Sequence, residues 1–188
     1  MKIWILTSEM PWFNPGGIAR YVDNFAGYLA ADGHEVCVFG PGEEEGSRTL
    51  EAGYRYIPIV PRWHLCGKPC DSPRPDDHPA FPYNLLDYWG AFSYQAAGAV
   101  QAEIALTGPP DVIESQEYAA LPYYLLQRKL TEPGPLADVP VVVNAHSPEF
   151  LCREYDEDPR YQFPHYWTGR LEMFCLHAAD SVICPSQY

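Results

Sequence analysis

Apolar positions along the chain follow two patterns, short continuous runs and longer segments with apolar residues at three- and four-residue steps. Short apolar runs without strict alternation are typical of strands buried on both faces. Strands are predicted at residues 2–6, 35–39, 54–59, 111–114, 139–144 and 181–184. Helices are predicted at 17–32, about 85–106, 119–130 and about 166–178. Strands separated by helices predict an α/β fold, a Rossmann-like, doubly wound and mainly parallel sheet with helices on both faces.

The first helix has the clearest helical pattern. Its predicted inner face holds the apolar residues that recur at three- and four-residue steps. They are Ile18, Tyr21, Val22, Phe25, Tyr28 and Leu29. Gly33 follows the helix and is predicted to end it, because glycine readily adopts the left-handed conformation that terminates helices.

Two glycines, Gly16 and Gly17, lie between the first strand and this helix. Without a Cβ atom, they let a ligand approach the backbone, and the free N–H groups of a helix N-terminus attract anions. This pattern predicts a loop that faces a diphosphate, although two glycines also suit a simple tight turn. A GxGxxG motif is absent, which argues against a dinucleotide-dependent dehydrogenase.

Composition and charge narrow the function classes. The chain has 188 residues, enough for one domain with a substantial core, and 47% of them are hydrophobic. A net charge of −13 argues against nucleic-acid and anionic-membrane surfaces, which require a positive face. Neither a signal peptide's apolar region nor a run long enough to span a membrane is evident, so a cytoplasmic location is expected.

A proline-rich segment at about 61–82 suits neither a helix nor a central strand, and a surface excursion is predicted there. Within it, Cys66 and Cys70 lie near two histidines, but a second well-spaced pair of ligands is missing. A local disulfide or two free thiols is therefore favoured over a metal. Aromatic residues follow, and they either form a sugar-binding platform or line the inner face of the second helix. These are Phe81, Tyr83, Tyr88, Trp89 and Phe92.

Polar residues that follow the predicted strands are the candidates for chemistry. His146 follows the strand at 139–144, and Glu117 follows the strand at 111–114. Both should reach the carboxyl edge of the sheet, where open α/β folds bind ligands. Histidine can donate or accept a hydrogen bond near neutral pH, and Glu117 could bind sugar hydroxyls. Glu9 and Asn14, in the first loop, either contact an acceptor or stabilise that loop.

Four segments together resemble one enzyme family, the retaining family 4 glycosyltransferases with the two-Rossmann-domain (GT-B) architecture. The segments are residues 2–42, DVIESQEY at 111–118, PVVVNAHSPEFL at 140–151 and AADSVICPSQY at 178–188. They occur in the family's order and at plausible spacing. The resemblance is weakest between about 61 and 86.

The resemblance implies a division of labour between two domains. In this family a C-terminal domain holds most of the nucleotide-sugar, whereas the N-terminal domain binds the acceptor and closes its glycine loop on the diphosphate. Residues 1–188 look like the N-terminal, acceptor-side half of a GT-B fold, and the C-terminal nucleotide-sugar domain is absent. The resemblance places His146 near the transferred sugar and Gly16 and Gly17 at the diphosphate. It implies neither a metal nor a cofactor besides the donor substrate.

The expected function is that of the acceptor-binding domain of a retaining glycosyltransferase, a hexosyltransferase-like enzyme of carbohydrate biosynthesis. Its partners would be a nucleotide-sugar donor, an acceptor and the missing domain, and this piece alone should be nearly inactive. One alternative is a stand-alone Rossmann-like module that binds a nucleotide or a glycan without catalysis. A small hydrolase using His146 with Glu117 is a poorer alternative, because a nucleophile elbow and a metal cluster are missing.

Overall fold

A computed structural model describes residues 1–44, 46–60, 88–157 and 165–184. The predictions for the proline-rich segment, including those for Cys66 and Cys70, lie outside the described residues. So do Phe81 and Tyr83 of the predicted aromatic platform. In the described part, no helix is long and apolar enough to cross a membrane.

The described residues form a seven-stranded sheet. Its strands are β1 (Lys2–Leu6), β2 (Glu35–Pro41), β3 (Arg48–Thr49), β4 (Arg55–Ile59), β5 (Val112–Gln116), β6 (Val141–Asn144) and β7 (Ser181–Ile183). The order across the sheet is β3-β4-β2-β1-β5-β6-β7, and every pairing is parallel except that of β3 with β4. The predicted doubly wound, mainly parallel sheet is therefore confirmed.

Within the residues that the structure describes, five helices lie between these strands. They are α1 (Gly17–Ala31), α2 (Tyr88–Thr107), α3 (Tyr123–Thr131), α4 (Glu149–Tyr155) and α5 (His165–Ala178), with short 3-10 turns at Tyr118–Ala120 and Pro135–Asp138. Two separate apolar cores lie on opposite faces of the sheet, because successive residues of a strand point in opposite directions. In β1, Trp4 and Leu6 pack in the core with α2 and α3, whereas Ile3 and Ile5 pack in the core with α1.

Several predicted details differ from the structure. Tyr28 was placed on the inner face of α1, yet it is 75% exposed, and the small Ala19 and Ala26 are buried beside Val22 instead. A helix that lies close to a sheet favours small side chains along its central stripe, and bulky neighbours then lie at its edges. Gly33 has a φ of +85° at the end of α1, as a helix-terminating glycine should.

The second and third helices also refine the predictions. Phe92 is fully buried in the core, which favours the inner face of α2 over a sugar-binding platform for this residue. The helix predicted to begin at 119 begins only at Tyr123, because Ala119 and Ala120 adopt left-handed φ values of 56° and 55°. Strand β3 and helix α4 were not predicted.

The exposed position of Tyr28 and the buried position of Val22 predict stability effects of very different size. We expect Val22→Ala to lower the free energy of unfolding by about 2 kcal/mol, since two buried methyl groups are lost and a cavity is left. Tyr28→Ala should change it by less than about 0.5 kcal/mol. Urea denaturation of both variants measures the difference, and a larger loss for Tyr28→Ala would contradict this packing of α1.

Candidate functional site

The carboxyl ends of β1, β5 and β6 form the polar edge of the sheet. After β1, the next strands β2 and β4 lie on one side of it, whereas β5, β6 and β7 lie on the other side. Ligands in open α/β sheets bind at such a reversal of strand order, outside the carboxyl ends of the strands. The loop before α1, the segment after β5 and the segment after β6 all meet at this edge.

A buried hydrogen-bonded cluster lies at the centre of this edge. The Tyr21 hydroxyl donates to Glu114 Oε1 at 2.8 Å, and Asn144 Nδ2 donates to the same oxygen at 3.4 Å. Burial raises the pKa of the Glu114 carboxyl, and the hydrogen bonds from Tyr21 and Asn144 oppose that shift. Burial is the main cause that raises the pKa of the Tyr21 hydroxyl, and the nearby Glu114 carboxylate raises it further. The cluster joins α1, β5 and β6.

His146 lies directly against this cluster. Its ring meets the Tyr21 ring edge-on, with centroids 4.9 Å apart and planes inclined by 70°. Burial lowers the pKa of the imidazole. A neutral imidazole has one donor and one acceptor nitrogen, so it can contact a hydroxyl group in either role. Tyr21 was assigned to the core of α1 in the sequence analysis, and its hydroxyl was missed because its partner is 93 residues away.

Several buried polar atoms at the same edge make no hydrogen bond with any other described residue. They are Ser8 Oγ, Gln116 Oε1 and Nε2, Asn144 Oδ1 and His146 Nε2. Gln116 and Asn144 are direct partners across β5 and β6, and Ser8 follows the end of β1, whose Leu6 pairs with Ser115. Each unsatisfied buried polar atom costs about 1–3 kcal/mol. This edge is therefore suited to a ligand with many hydroxyl groups, or to ordered water.

The loop that contains Gly16 and Gly17 is occupied in part by a carboxylate of the chain itself, that of Glu9. Helix α1 begins at Gly17, and the N–H of Ala19 in its first turn donates to Glu9 Oε2 at 3.3 Å. A Cβ atom on Gly16 would lie 2.3 Å from the same oxygen, so Gly16 makes room for the Glu9 carboxylate. At Gly17 a Cβ would meet no atom within 4 Å. The sequence predicted that Glu9 either contacts an acceptor or stabilises this loop, and the structure places its carboxylate at the helix N-terminus, as the second alternative requires.

The surroundings of this loop remain open to a ligand. A cavity of about 860 Å³ lies beside it, and Pro15, Gly16, Gly17 and Arg20 are among its lining residues. Arg20 is exposed and would add a positive charge for an anion. Asn14 has a φ of 53°, a left-handed conformation that asparagine tolerates better than most residues. This backbone conformation gives Asn14 a role in shaping the turn before Gly16.

Glu117 is fully buried, and the structure gives it a role that differs from the predicted acceptor contact. Its two carboxylate oxygens accept the backbone N–H groups of His146 at 2.8 Å and Ser147 at 2.6 Å. Burial raises the pKa of this carboxyl, and those backbone hydrogen bonds counteract the increase. Glu117 therefore holds the loop that carries His146, and its side chain has no surface left for an acceptor.

A second cavity, of about 840 Å³, lies between α2, α3 and the carboxyl end of β4. Tyr94, Gln101, Tyr124 and Arg128 are among its lining residues. The Arg128 guanidinium lies 4.8 Å from the centroid of the Tyr94 ring, a cation–π contact. None of the residues predicted to form the site lines this cavity.

Comparisons with known proteins agree with the resemblance described above. The family model described as Glycosyltransferase Family 4 matches residues 15–188. A curated relative, a glycogen synthase of Opitutus terrae, is 39% identical over 83 residues, which cover 40% of this chain and 17% of the relative. The predicted membership of family 4 is thereby confirmed.

Two solved structures share the fold. Sucrose-phosphate synthase of Thermosynechococcus elongatus superposes with a TM-score of 0.64 at 17% identity, covering 96% of this chain and 41% of that protein. The calicheamicin glycosyltransferase CalG4 superposes with a TM-score of 0.54 at 11% identity, covering 94% of this chain and 42% of that one. The chain thus has the Rossmann-like fold of one half of a GT-B enzyme and spans well under half of these proteins.

The burial of His146 can be tested by its titration. Because burial disfavours the imidazolium form, we expect the His146 ring to titrate with a midpoint below its ordinary value of 6.5. Proton–carbon NMR of the histidine rings measures this midpoint, and the signal missing from His146→Gln identifies the residue. A midpoint at or above 6.5 would contradict the buried position.

Proposed function

The chain belongs to glycosyltransferase family 4, and on that premise we propose that it is the acceptor-side domain of a retaining, hexosyltransferase-like enzyme that transfers a sugar from a nucleotide-sugar to an acceptor. The chain spans 17% of the glycogen synthase and 41% of the sucrose-phosphate synthase that it resembles. A second Rossmann-like domain, holding most of the donor, would complete the site.

One observation carries this proposal, the set of unpartnered buried polar atoms at the carboxyl edge. Gln116 and Asn144 are paired at the carboxyl ends of β5 and β6, and Asn144 lies two residues before His146. Amide and imidazole groups can both donate and accept hydrogen bonds, which matches the hydroxyl groups of a sugar. An apolar or purely anionic ligand would leave these atoms unsatisfied. In this proposal a sugar ring lies over the ends of β5 and β6, in contact with His146, and the edge opens on binding so that sugar hydroxyl groups reach these buried atoms.

The glycine loop would face the diphosphate of the donor. Gly16 and Gly17 allow close approach to the backbone, and the first N–H groups of α1 favour negative charge. The leaving diphosphate needs more positive charge than this loop provides, and losing one stabilising donor can cost about 3 kcal/mol. We therefore expect residues 1–188 alone to catalyse little or no transfer.

No metal or cofactor is part of this proposal. Across the described ranges, no three His, Cys, Asp or Glu residues are grouped closely enough to hold a metal ion. The donor substrate would carry the activated sugar, and the protein would orient it. His146, which is held in place by Glu117, is the residue proposed to touch the reacting sugar.

The geometry does not favour the hydrolase that pairs His146 with Glu117. Such an enzyme would need the Glu117 carboxylate as an acid or a base within reach of a substrate. That carboxylate is fully buried and accepts two backbone N–H groups. The other alternative, a binding module without catalysis, is distinguished by the experiments below.

The proposal is tested by NMR titration of the chain with UDP-glucose, ADP-glucose and GDP-mannose. We expect weak binding by at least one of them, with shifts concentrated at Gln116, Asn144 and His146. His146→Ala should weaken binding about tenfold, as expected for the loss of one or two good hydrogen bonds. The matched control His34→Ala, in the turn just before β2, should bind as tightly as the parent chain.

Three results would contradict the proposal. One is the absence of any shift at the carboxyl edge at millimolar concentrations of all three compounds. Another is equal loss of affinity in both histidine variants. Efficient sugar transfer by the purified chain alone would contradict the need for a second domain. Binding without transfer in any longer form of the protein would instead support the binding module.

Glu9 provides a separate test of the diphosphate-facing loop. Its carboxylate lies at the N–H groups that a diphosphate would use, so we expect Glu9→Gln to bind ADP about two- to fivefold more tightly. Glutamine keeps an oxygen of similar size and removes only the charge. The control Glu51→Gln alters an exposed turn between β3 and β4 and should have no effect. Unchanged or weaker ADP binding in Glu9→Gln would show that the loop does not face a diphosphate.

A further inference from the structure

Glu172, in the middle of α5, is a fully buried carboxylate that contacts two segments of the ligand-binding edge. Its Oε1 atom accepts the backbone N–H groups of Ala119 and Glu149, both at 2.9 Å. Its Oε2 atom accepts the N–H of Phe150 at 3.2 Å. One side chain therefore links α5 to the turn after β5 and to the start of α4.

Glu117 and Glu172 together fix the loop that follows β6. The backbone N–H groups of His146 and Ser147 donate to Glu117, and those of Glu149 and Phe150 donate to Glu172. Pro148 has no N–H. From His146 to Phe150, every backbone donor is thus received by a buried carboxylate from another element. Hydrogen bonds to charged groups are stronger than those between neutral groups, so this loop is held firmly.

The turn after β5 depends on the same carboxylate. Ala119 has φ 56° and ψ 27°, and Ala120 has φ 55°. Left-handed conformations are costly for residues with a Cβ atom, and they persist only where the surroundings determine them. The Ala119 N–H donates to Glu172, and the Ala120 N–H donates to the backbone oxygen of Glu117. The strained turn and the His146 loop therefore have a common support.

Gly169 is an independent sign that α5 is built to make this contact. It lies three residues before Glu172, hence on the same face of the helix. A Cβ atom on Gly169 would lie 2.8 Å from the Cβ of Phe150. Glycine in a helix interior is unfavourable relative to alanine. Here it allows α5 to approach the start of α4 closely enough for Glu172 to reach the backbone.

Burial and the neighbouring groups together determine the pKa of the Glu172 carboxyl. Burial raises its pKa to about 7, the three backbone N–H groups oppose that increase, and the nearby Glu149 carboxylate adds to it. Glu149 forms an ion pair with Arg153 at 3.0 Å. Burial raises the pKa of the Cys175 thiol and of the Tyr118 hydroxyl, and the Glu172 carboxylate raises both further. The Glu117 carboxylate, in the segment after β5, also raises the pKa of Cys175.

We propose that Glu172 is a positioning residue of the cleft: it touches no ligand, and through the backbone of residues 119 and 149–150 it sets the position of His146. This inference deepens the proposed function, because it assigns a support to the residue placed at the sugar. Its structural content does not depend on which ligand binds. Failure of the nucleotide-sugar titrations would leave it standing.

The first test replaces Glu172 by glutamine in residues 1–188. The glutamine NH₂ group cannot accept a hydrogen bond, so at least one of the three backbone donors loses its partner. We expect hydrogen exchange to accelerate at least about tenfold at Ala119, Glu149 and Phe150, with β1 and β2 unchanged. The midpoint of the His146 ring titration should move upward towards 6.5. Arg170→Gln, on the exposed face of α5, is the matched control.

A purely structural role for Glu172 predicts a different result. Exchange would then accelerate throughout the sheet, and the His146 midpoint would stay at the value measured in Arg170→Gln. That outcome would overturn the proposal. Gly169→Ala provides a second route, because it keeps the carboxylate but pushes α5 away from Phe150. It should shift the His146 midpoint in the same direction as Glu172→Gln, and no shift in a folded variant would count against the proposal.

The unaltered chain gives a third readout if neither variant folds. Protonation of Glu172 turns one acceptor oxygen into a donor, facing groups that are all donors. We therefore expect the amide shifts of Ala119, Glu149 and Phe150 to titrate together near pH 7, and the His146 ring shift to show an inflection at the same pH. Independent midpoints at the three amides, or a His146 shift without that inflection, would overturn the proposal.

Discussion

The parallel pairing of β1 with β2 on one side and β5 on the other determines where everything else in this protein lies. β1 is buried on both faces, so each core depends on its alternate residues. Because parallel strands end at the same edge, the glycine loop, the segment after β5 and the segment after β6 meet there. Polar residues from parts of the chain more than 90 residues apart thus become neighbours, as Tyr21 and Glu114 show.

Carboxylates that accept backbone N–H groups are the recurring device at this edge. Glu9 receives an N–H of the first turn of α1, Glu117 receives two after β6, and Glu172 receives three from two segments. Buried carboxylates are expensive unless they are hydrogen-bonded, and once bonded they fix the backbone strongly. Part of the acidic character of this chain is therefore structural. Glu117 and Glu172 are fully buried and Glu9 is half-buried, and all three hold loops that carry the candidate site.

The sequence predicted the fold well because the central strands are short apolar runs, each flanked by helical segments. The predicted burial of Tyr28 was wrong, because a helical pattern marks every apolar residue at a three- or four-residue step as buried, whatever its size. In the structure α1 packs on the sheet through the small residues Ala19 and Ala26. β3 has two residues, too few for a recognisable pattern. The late start of α3 reflects the left-handed turn at Ala119, which is stabilised by a side chain 53 residues away.

The candidate site was only partly predictable, because contacts between distant parts of the chain decide what each side chain does. A polar residue after a buried parallel strand must reach the carboxyl edge, and this argument placed His146 and Glu117 correctly at that edge. It could not tell whether a carboxylate faces a ligand or the backbone. Glu117 turned out to be buried against the His146 loop, and Glu172 gave no signal because it lies in an ordinary helical pattern. Sequence spacing indicates location, whereas roles depend on burial.

In the proposed enzyme a sugar binds at the carboxyl edge between β1, β5 and β6. The decisive measurement is that of intermolecular nuclear Overhauser effects between a bound nucleotide-sugar and the chain. We expect contacts from the sugar-ring protons to the rings of His146 and Tyr21. Contacts only to Tyr94 and Tyr124, in the cavity between α2 and α3, would contradict it.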